Sequence, residues 1–265
     1  MSFLDHLEEL RWHIIRSLGV LVLLGIVAFV FKRIIFDVIL LGPSQDDFIT
    51  YQGLCSLSER FLGGDLFCFE RAEFSIINTE LTAEFLLHLK AAFSFGLVAA
   101  FPYVIYEIWR FVSPGLYENE ARATQNVVLV SSLLFYVGVA FGYFILFPLS
   151  FQFFANYSIS DVIVKSFTIK SYLGFMIMLL IASGVMFELP MVVFILSRLG
   201  LLTPGLMRDY RRHALVVIFI LSALITPADP GTMMMVALPL AGLYEISIFI
   251  SARVVRAMNK RDASE

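Results

Sequence analysis

Apolar residues run along this chain in long blocks, not at alternating positions. Six blocks stand out: about 14–31, 85–104 with a helical continuation towards Phe111, 127–147, 172–196, 214–226 and 232–250. Each of the first four is close to the ~20 residues that a helix needs to cross ~30 Å of hydrocarbon. The fifth is confined between the Arg211–Arg212–His213 cluster and Pro227, and as a helix it would reach only roughly 20 Å. The sixth stays free of charge as far as Tyr244, before Glu245. Joined by "TPADPG" (226–231), these last two predict a tight hairpin of short helices, with a re-entrant loop as the alternative.

Ahead of the first block lies "MSFLDHLEELRW", with Phe3, Leu4, Leu7 and Leu10 on one helical face and Asp5, Glu8 and Glu9 on another. The pattern predicts a short amphipathic helix over 1–12, lying in the membrane interface. The segment is acidic and lacks a small-residue cleavage site, so it does not read as a cleaved signal.

Composition strengthens the membrane reading. Hydrophobic residues make up 59% of the 265 and charged residues 15%, against roughly 45–50% and about 25% in soluble domains. The expected fold is therefore an all-α integral membrane protein of six transmembrane helices, forming a single domain over 1–265. A net charge of −3 leaves no basic footprint for nucleic acid. Lysine and arginine favour the segments on the N-terminal side of the bilayer, which predicts both termini in the cytoplasm, with a cytoplasmic tail over about 252–265. The largest piece between blocks, about 37–82, is then extracytoplasmic. It holds both cysteines, Cys55 and Cys68, which either stand as separate thiols or close a disulfide worth about 3 kcal/mol by loop entropy. No phosphate-binding glycine loop, metal-spaced Cys/His cluster or nucleophile–base pattern is present, so neither a cofactor nor an enzymatic activity is expected.

Three polar features stand out against this background. Asp5 and Glu9 lie four residues apart with Glu8 beside them, an arrangement of like charges that is either solvated or awaits a cation. In residues 101–123, Pro102 would kink or end the membrane helix, Ser113-Pro114-Gly115 forces a turn, and Glu118 and Glu120 follow in a loop. Glu188 sits inside the fourth block, where a carboxylate costs about 2.5–3.5 kcal/mol at the bilayer centre. Pro190 also frees the carbonyl near Met186. One use of Glu188 would be as the proton carrier of a small-solute transporter, with Glu245 as a partner acid, but no internal repeat supports it.

The stretches "FLDHLEELRWHII" (3–15), "FPYVIYEIWRFVSPGLYENEAR" (101–122), "LLFYVGVAFGYFILFPL" (133–149), "SGVMFELP" (183–190) and "LITPADP" (224–230) together resemble, in order, the signature blocks of the TatC family. These are receptor subunits of the twin-arginine protein translocase. The resemblance implies a six-helix cup in the bacterial cytoplasmic membrane. This cup exports folded precursors under the proton-motive force and uses no cofactor. It implies signal-peptide binding by Glu9 and Glu120, with Leu10, Arg11 and Phe111 nearby, and a buried polar contact at Glu188. Thr226, Pro227 and Asp229 would dock small single-span subunits of the TatA/TatB type, alongside self-association and contact with membrane lipid. Two positions depart from the family pattern: Met233, where many members carry Gln, and Ala121, where many carry Arg.

Overall fold

The computed structural model describes residues 3–45, 48–61, 75–112, 121–158, 160, 166–226 and 230–262. Helix α1 (Phe3–Val30) is followed by a π-helical segment, Ile34–Leu40. Next come α2 (Ile49–Phe61), strand β1 (Ser75–Ile77) and α3 (Ala83–Val112). Helix α4 (Ala121–Phe141) passes through a π-turn, Gly142–Leu146, into α5 (Phe147–Asn156). Strand β2 (Ser166–Thr168) leads into α6 (Ile169–Phe187) and α7 (Leu189–Arg198). The chain closes with α8 (Pro204–Asp209), α9 (Arg211–Ile225) and α10 (Pro230–Asp262).

Among the described residues, five helical runs are long and apolar enough to cross a membrane. At most 33% of each apolar window is buried within the protein, which leaves apolar surface for surrounding hydrocarbon. Helix α9 has 15 residues and reaches only about 22 Å. The short fifth helix expected from sequence is therefore present.

Several boundaries differ from the sequence expectation, each for a local reason. The amphipathic N-terminal segment and the first span form one helix, because nothing between Trp12 and Ile14 breaks the backbone ladder. Pro102 lies inside α3 without ending it. The third span runs on past Phe147 to Asn156. The π-turn widens the backbone just before Pro148, where a proline would otherwise clash with the preceding turn. The sixth helix is not short: α10 has 33 residues. Its one early charge, Glu245, is neutralised by Arg211 of α9 at 2.6 Å and so does not end the span. The 37–82 segment, expected only as a loop, carries α2 and β1. Strand β1 pairs in parallel with β2 in the register Ser75 with Ser166, Ile76 with Phe167 and Ile77 with Thr168.

The main core lies where the π-segment, the π-turn and α6 meet, around the fully buried Leu40, Phe147, Leu173, Met176 and Leu179. Tyr143 donates to the Ile39 carbonyl at 2.8 Å and Tyr172 to the Leu40 carbonyl at 3.1 Å. These bonds supply partners where the π-segment ends its own ladder. Without water to drive association, spans pack through small residues that let backbones approach. Helix α1 meets α3 at Gly25 and Gly96, where a Cβ on Gly96 would stand 2.7 Å from the Gly25 nitrogen. Helix α4 meets α6 at Gly138, where an added Cβ would stand 2.6 Å from the Ser183 carbonyl oxygen.

Replacing Gly138 with Leu should therefore destabilise the detergent-solubilised protein by about 1–3 kcal/mol through overpacking. Gly19→Ala, with nothing within 4 Å of the new atom, should leave the thermal unfolding midpoint unchanged or raise it. Equal midpoints for the two variants would contradict the tight α4–α6 contact.

Candidate functional site

The N-terminal half of α1 and the C-terminal end of α3 are joined by a buried polar clasp. His13 Nδ1 of α1 is hydrogen-bonded to Glu107 Oε2 of α3, and both side chains are buried. Tyr103, one turn earlier on α3, donates to Glu107 Oε1 at 2.7 Å. Both carboxylate oxygens are thereby satisfied, which a charge withdrawn from water requires. Phe111, one turn after Glu107, sets its ring edge-on to the His13 imidazole with centroids 6.0 Å apart. His13 on α1 thus meets the i, i+4 pair Glu107 and Phe111 on α3, with Glu9 one turn before it in the sequence of α1.

The sequence-predicted residues fall around this clasp unevenly. Glu9 and Leu10 are half-buried on α1, and Phe111 is half-buried on α3. Arg11 is exposed, with its guanidinium 5.6 Å from the centroid of the Trp12 ring. Glu120 lies outside the described residues, as do the Ser113-Pro114-Gly115 turn and Glu118. Sequence reasoning missed Glu107, Tyr103 and the role of His13. The available signal was an acid set among the apolar and aromatic residues of "YVIYEIWRF", with a Tyr one turn before it.

Glu188 occupies the single-residue break between α6 and α7, at φ −74° and ψ −10°. Its backbone carbonyl accepts from Met191 at 2.9 Å and from Val192 at 3.0 Å, so the chain resumes its helix directly beyond the break. Ser131 of α4 donates to Glu188 Oε2 at 2.6 Å. Oε1 is buried and has no partner among the described residues, a state that costs about 1–3 kcal/mol. The carboxyl thus bridges two spans through one oxygen and can accept a donor through the other. Glu245 does not join it, being paired to Arg211.

At the α9–α10 tip, Thr226 is buried and caps α9. Its hydroxyl and its backbone N–H both bond the Ser222 carbonyl at 2.9 Å. Pro227 and Asp229 lie outside the described residues. Cys55, on α2, is disulfide-bonded, and the chain's other cysteine, Cys68, lies outside the described residues.

The family model for the Sec-independent protein translocase protein TatC matches residues 5–239. A TatC from Blattabacterium sp. subsp. Periplaneta americana is 33% identical over 252 residues, covering 95% of each chain. One from Desulforapulum autotrophicum is 38% identical over 263 residues, covering 99% of this chain and 87% of the relative. A crystal structure of the twin-arginine translocase receptor TatC, determined in DDM, superposes with a TM-score of 0.74 at 30% identity, covering 93% of this chain and 99% of the other. A second crystal structure of that receptor superposes with a TM-score of 0.70 at 29% identity. A family model that spans residues 5–239 and relatives matched nearly end to end show that this chain belongs to the TatC family of Sec-independent protein translocase proteins.

Proposed function

We propose that this membrane protein is the receptor of a twin-arginine export system in a bacterial cytoplasmic membrane, with both termini in the cytoplasm. Glu9 and Glu120 bind the paired guanidiniums of a precursor's signal peptide, with Leu10, Arg11 and Phe111 lining the approach. Two carboxylates suit this task because each can take a guanidinium through a bidentate, charge-assisted pair that lysine forms less well. The observation that carries the reading is the His13–Glu107 bond, with Phe111 against the imidazole and Glu9 one turn away. It ties the helix that carries Glu9 to the end of α3, and Glu120 follows that end in the sequence.

Glu188 offers a polar contact within the bilayer to partner helices, consistent with an oxygen that has no partner among the described residues. The α9–α10 tip at Thr226, Pro227 and Asp229 docks small single-span subunits, and several copies of the chain associate in the working complex. The proton-motive force drives transport. The disulfide at Cys55 closes onto Cys68 and braces the long extracytoplasmic segment.

Three outcomes follow. The double variant Glu9→Gln with Glu120→Gln should lose at least about tenfold in affinity for a twin-arginine peptide, as expected when charge-assisted pairs become neutral contacts. Peptide titration on well-folded protein checks this, and undiminished binding would remove both assignments. His13→Leu should lower stability by about 1–3 kcal/mol by leaving Glu107 Oε2 buried without a partner, whereas the pair His13→Leu with Glu107→Leu should recover most of that loss. Thermal melts of the two variants separate these cases. Finally, alkylation without reductant should leave the intact mass unchanged, and two alkyl groups should add only after reduction. Labelling before reduction would refute the bridge.

A further inference from the structure

A hollow of about 420 Å³ opens at the end of the α1–α3 pair opposite the His13–Glu107 clasp. Lys32 and Arg33, just past the last residue of α1, line it together with Asp37 of the π-segment and Glu84 in the first turn of α3. Phe36 and Phe85 belong to its apolar wall. The volume falls within the roughly 300–1,000 Å³ of small-molecule sites.

The two helices are tied together beside it. His88, one turn after Glu84, donates from Nε2 to the Phe29 carbonyl at 3.0 Å. Its ring stacks on Phe29 with centroids 3.8 Å apart and stands edge-on to Phe36 at 5.6 Å. Asn78 donates to one Glu84 oxygen at 3.1 Å, which orients that carboxylate and leaves its charge in place. Among the described residues, no ion pair joins the two cations of the rim to its two acids. The first span ends at Val30 and the second begins at Ala83, so the charged rim stands where hydrocarbon gives way to headgroups.

We propose that this hollow seats a zwitterionic phospholipid with a primary ammonium, phosphatidylethanolamine. Lys32 and Arg33 hold its phosphate, Asp37 and Glu84 hold its ammonium, and one acyl chain lies along Phe36 and Phe85. Two positive and two negative groups on one rim match a headgroup that carries one charge of each sign. An anionic phospholipid such as phosphatidylglycerol would bring no cation to the two acids. A choline headgroup has no N–H to donate, and quaternary ammonium is recognised by aromatic cages. A primary ammonium donates three bonds, and charge-assisted bonds to carboxylate and phosphate are the strong ones. The inference does not depend on how the signal peptide is bound.

Native mass spectrometry of the full-length protein in detergent tests it, with phosphatidylethanolamine, phosphatidylcholine and phosphatidylglycerol of identical acyl chains as probes. The wild type should retain one phosphatidylethanolamine in clear preference to the other two. Asp37→Asn with Glu84→Gln should weaken that retention at least about tenfold, while phosphatidylglycerol is held as well as before or better. Lys32→Gln with Arg33→Gln should weaken it by a similar factor. All four side chains are exposed, so both double variants should fold, and undiminished phosphatidylglycerol binding certifies the first. Glu59→Gln, on α2 and outside the hollow, should bind like the wild type. Wild-type retention in either double variant would overturn the proposal. So would equal retention of phosphatidylcholine by the wild type, or an equal loss in Glu59→Gln. Displacement by an equal concentration of soluble glycerophosphoethanolamine would also overturn it, by indicating a headgroup site that needs no lipid.

Discussion

The bond between the His13 ring and the Glu107 carboxylate fixes the spatial relation of α1 and α3, and the candidate receptor surface depends on that relation. In lipid, neither group could stand alone: an unpaired carboxylate there is strongly unfavourable, and so is a buried ring nitrogen without a hydrogen-bond partner. Each helix therefore presents a polar group that only the other can satisfy, and Tyr103 completes the second carboxylate oxygen. The close approach of Gly25 and Gly96 brings the same two helices together further along. Steric fit and polar satisfaction thus act on one helix pair, giving it a single register at which Phe111 meets the His13 ring.

Glu188 follows the opposite logic. It bonds Ser131 through one oxygen and keeps the other without a partner among the described residues. A fully satisfied carboxylate rigidifies its surroundings, whereas a half-satisfied one stores affinity for an incoming donor. The helix break that carries it is small, because the backbone resumes α-geometry at the next residue. Glu107 thus ties its helix pair through both oxygens, whereas Glu188 ties α4 to the α6–α7 break through one.

Much of this was readable in advance, for identifiable reasons. The first four spans were legible because each is a block of apolar residues close to bilayer length. Glu188 was legible because a lone acid inside such a block has few innocent explanations. Glu107 was hidden by its setting: it follows Pro102 and sits among interfacial aromatics, where an acid reads as solvent-exposed. Its partner His13 is 94 residues away, beyond the reach of any local pattern. Strands β1 and β2 were invisible for the same reason, being three residues each and meaningful only as a pair. The third apolar block was bounded at 147, just before Pro148, and no sequence rule announces that a π-turn will carry the helix past that proline.

That small ladder has a consequence for assembly. The hydroxyls of Ser75 and Ser166 lie 3.1 Å apart across a separation of 91 residues, and everything between them includes α3, α4 and α5. The two edges cannot meet until the intervening helices have been threaded through the bilayer and turned back, so the ladder closes late in biogenesis. Once closed, it acts as a latch: extracting any one of those helices must first break a pairing on the face opposite the clasp.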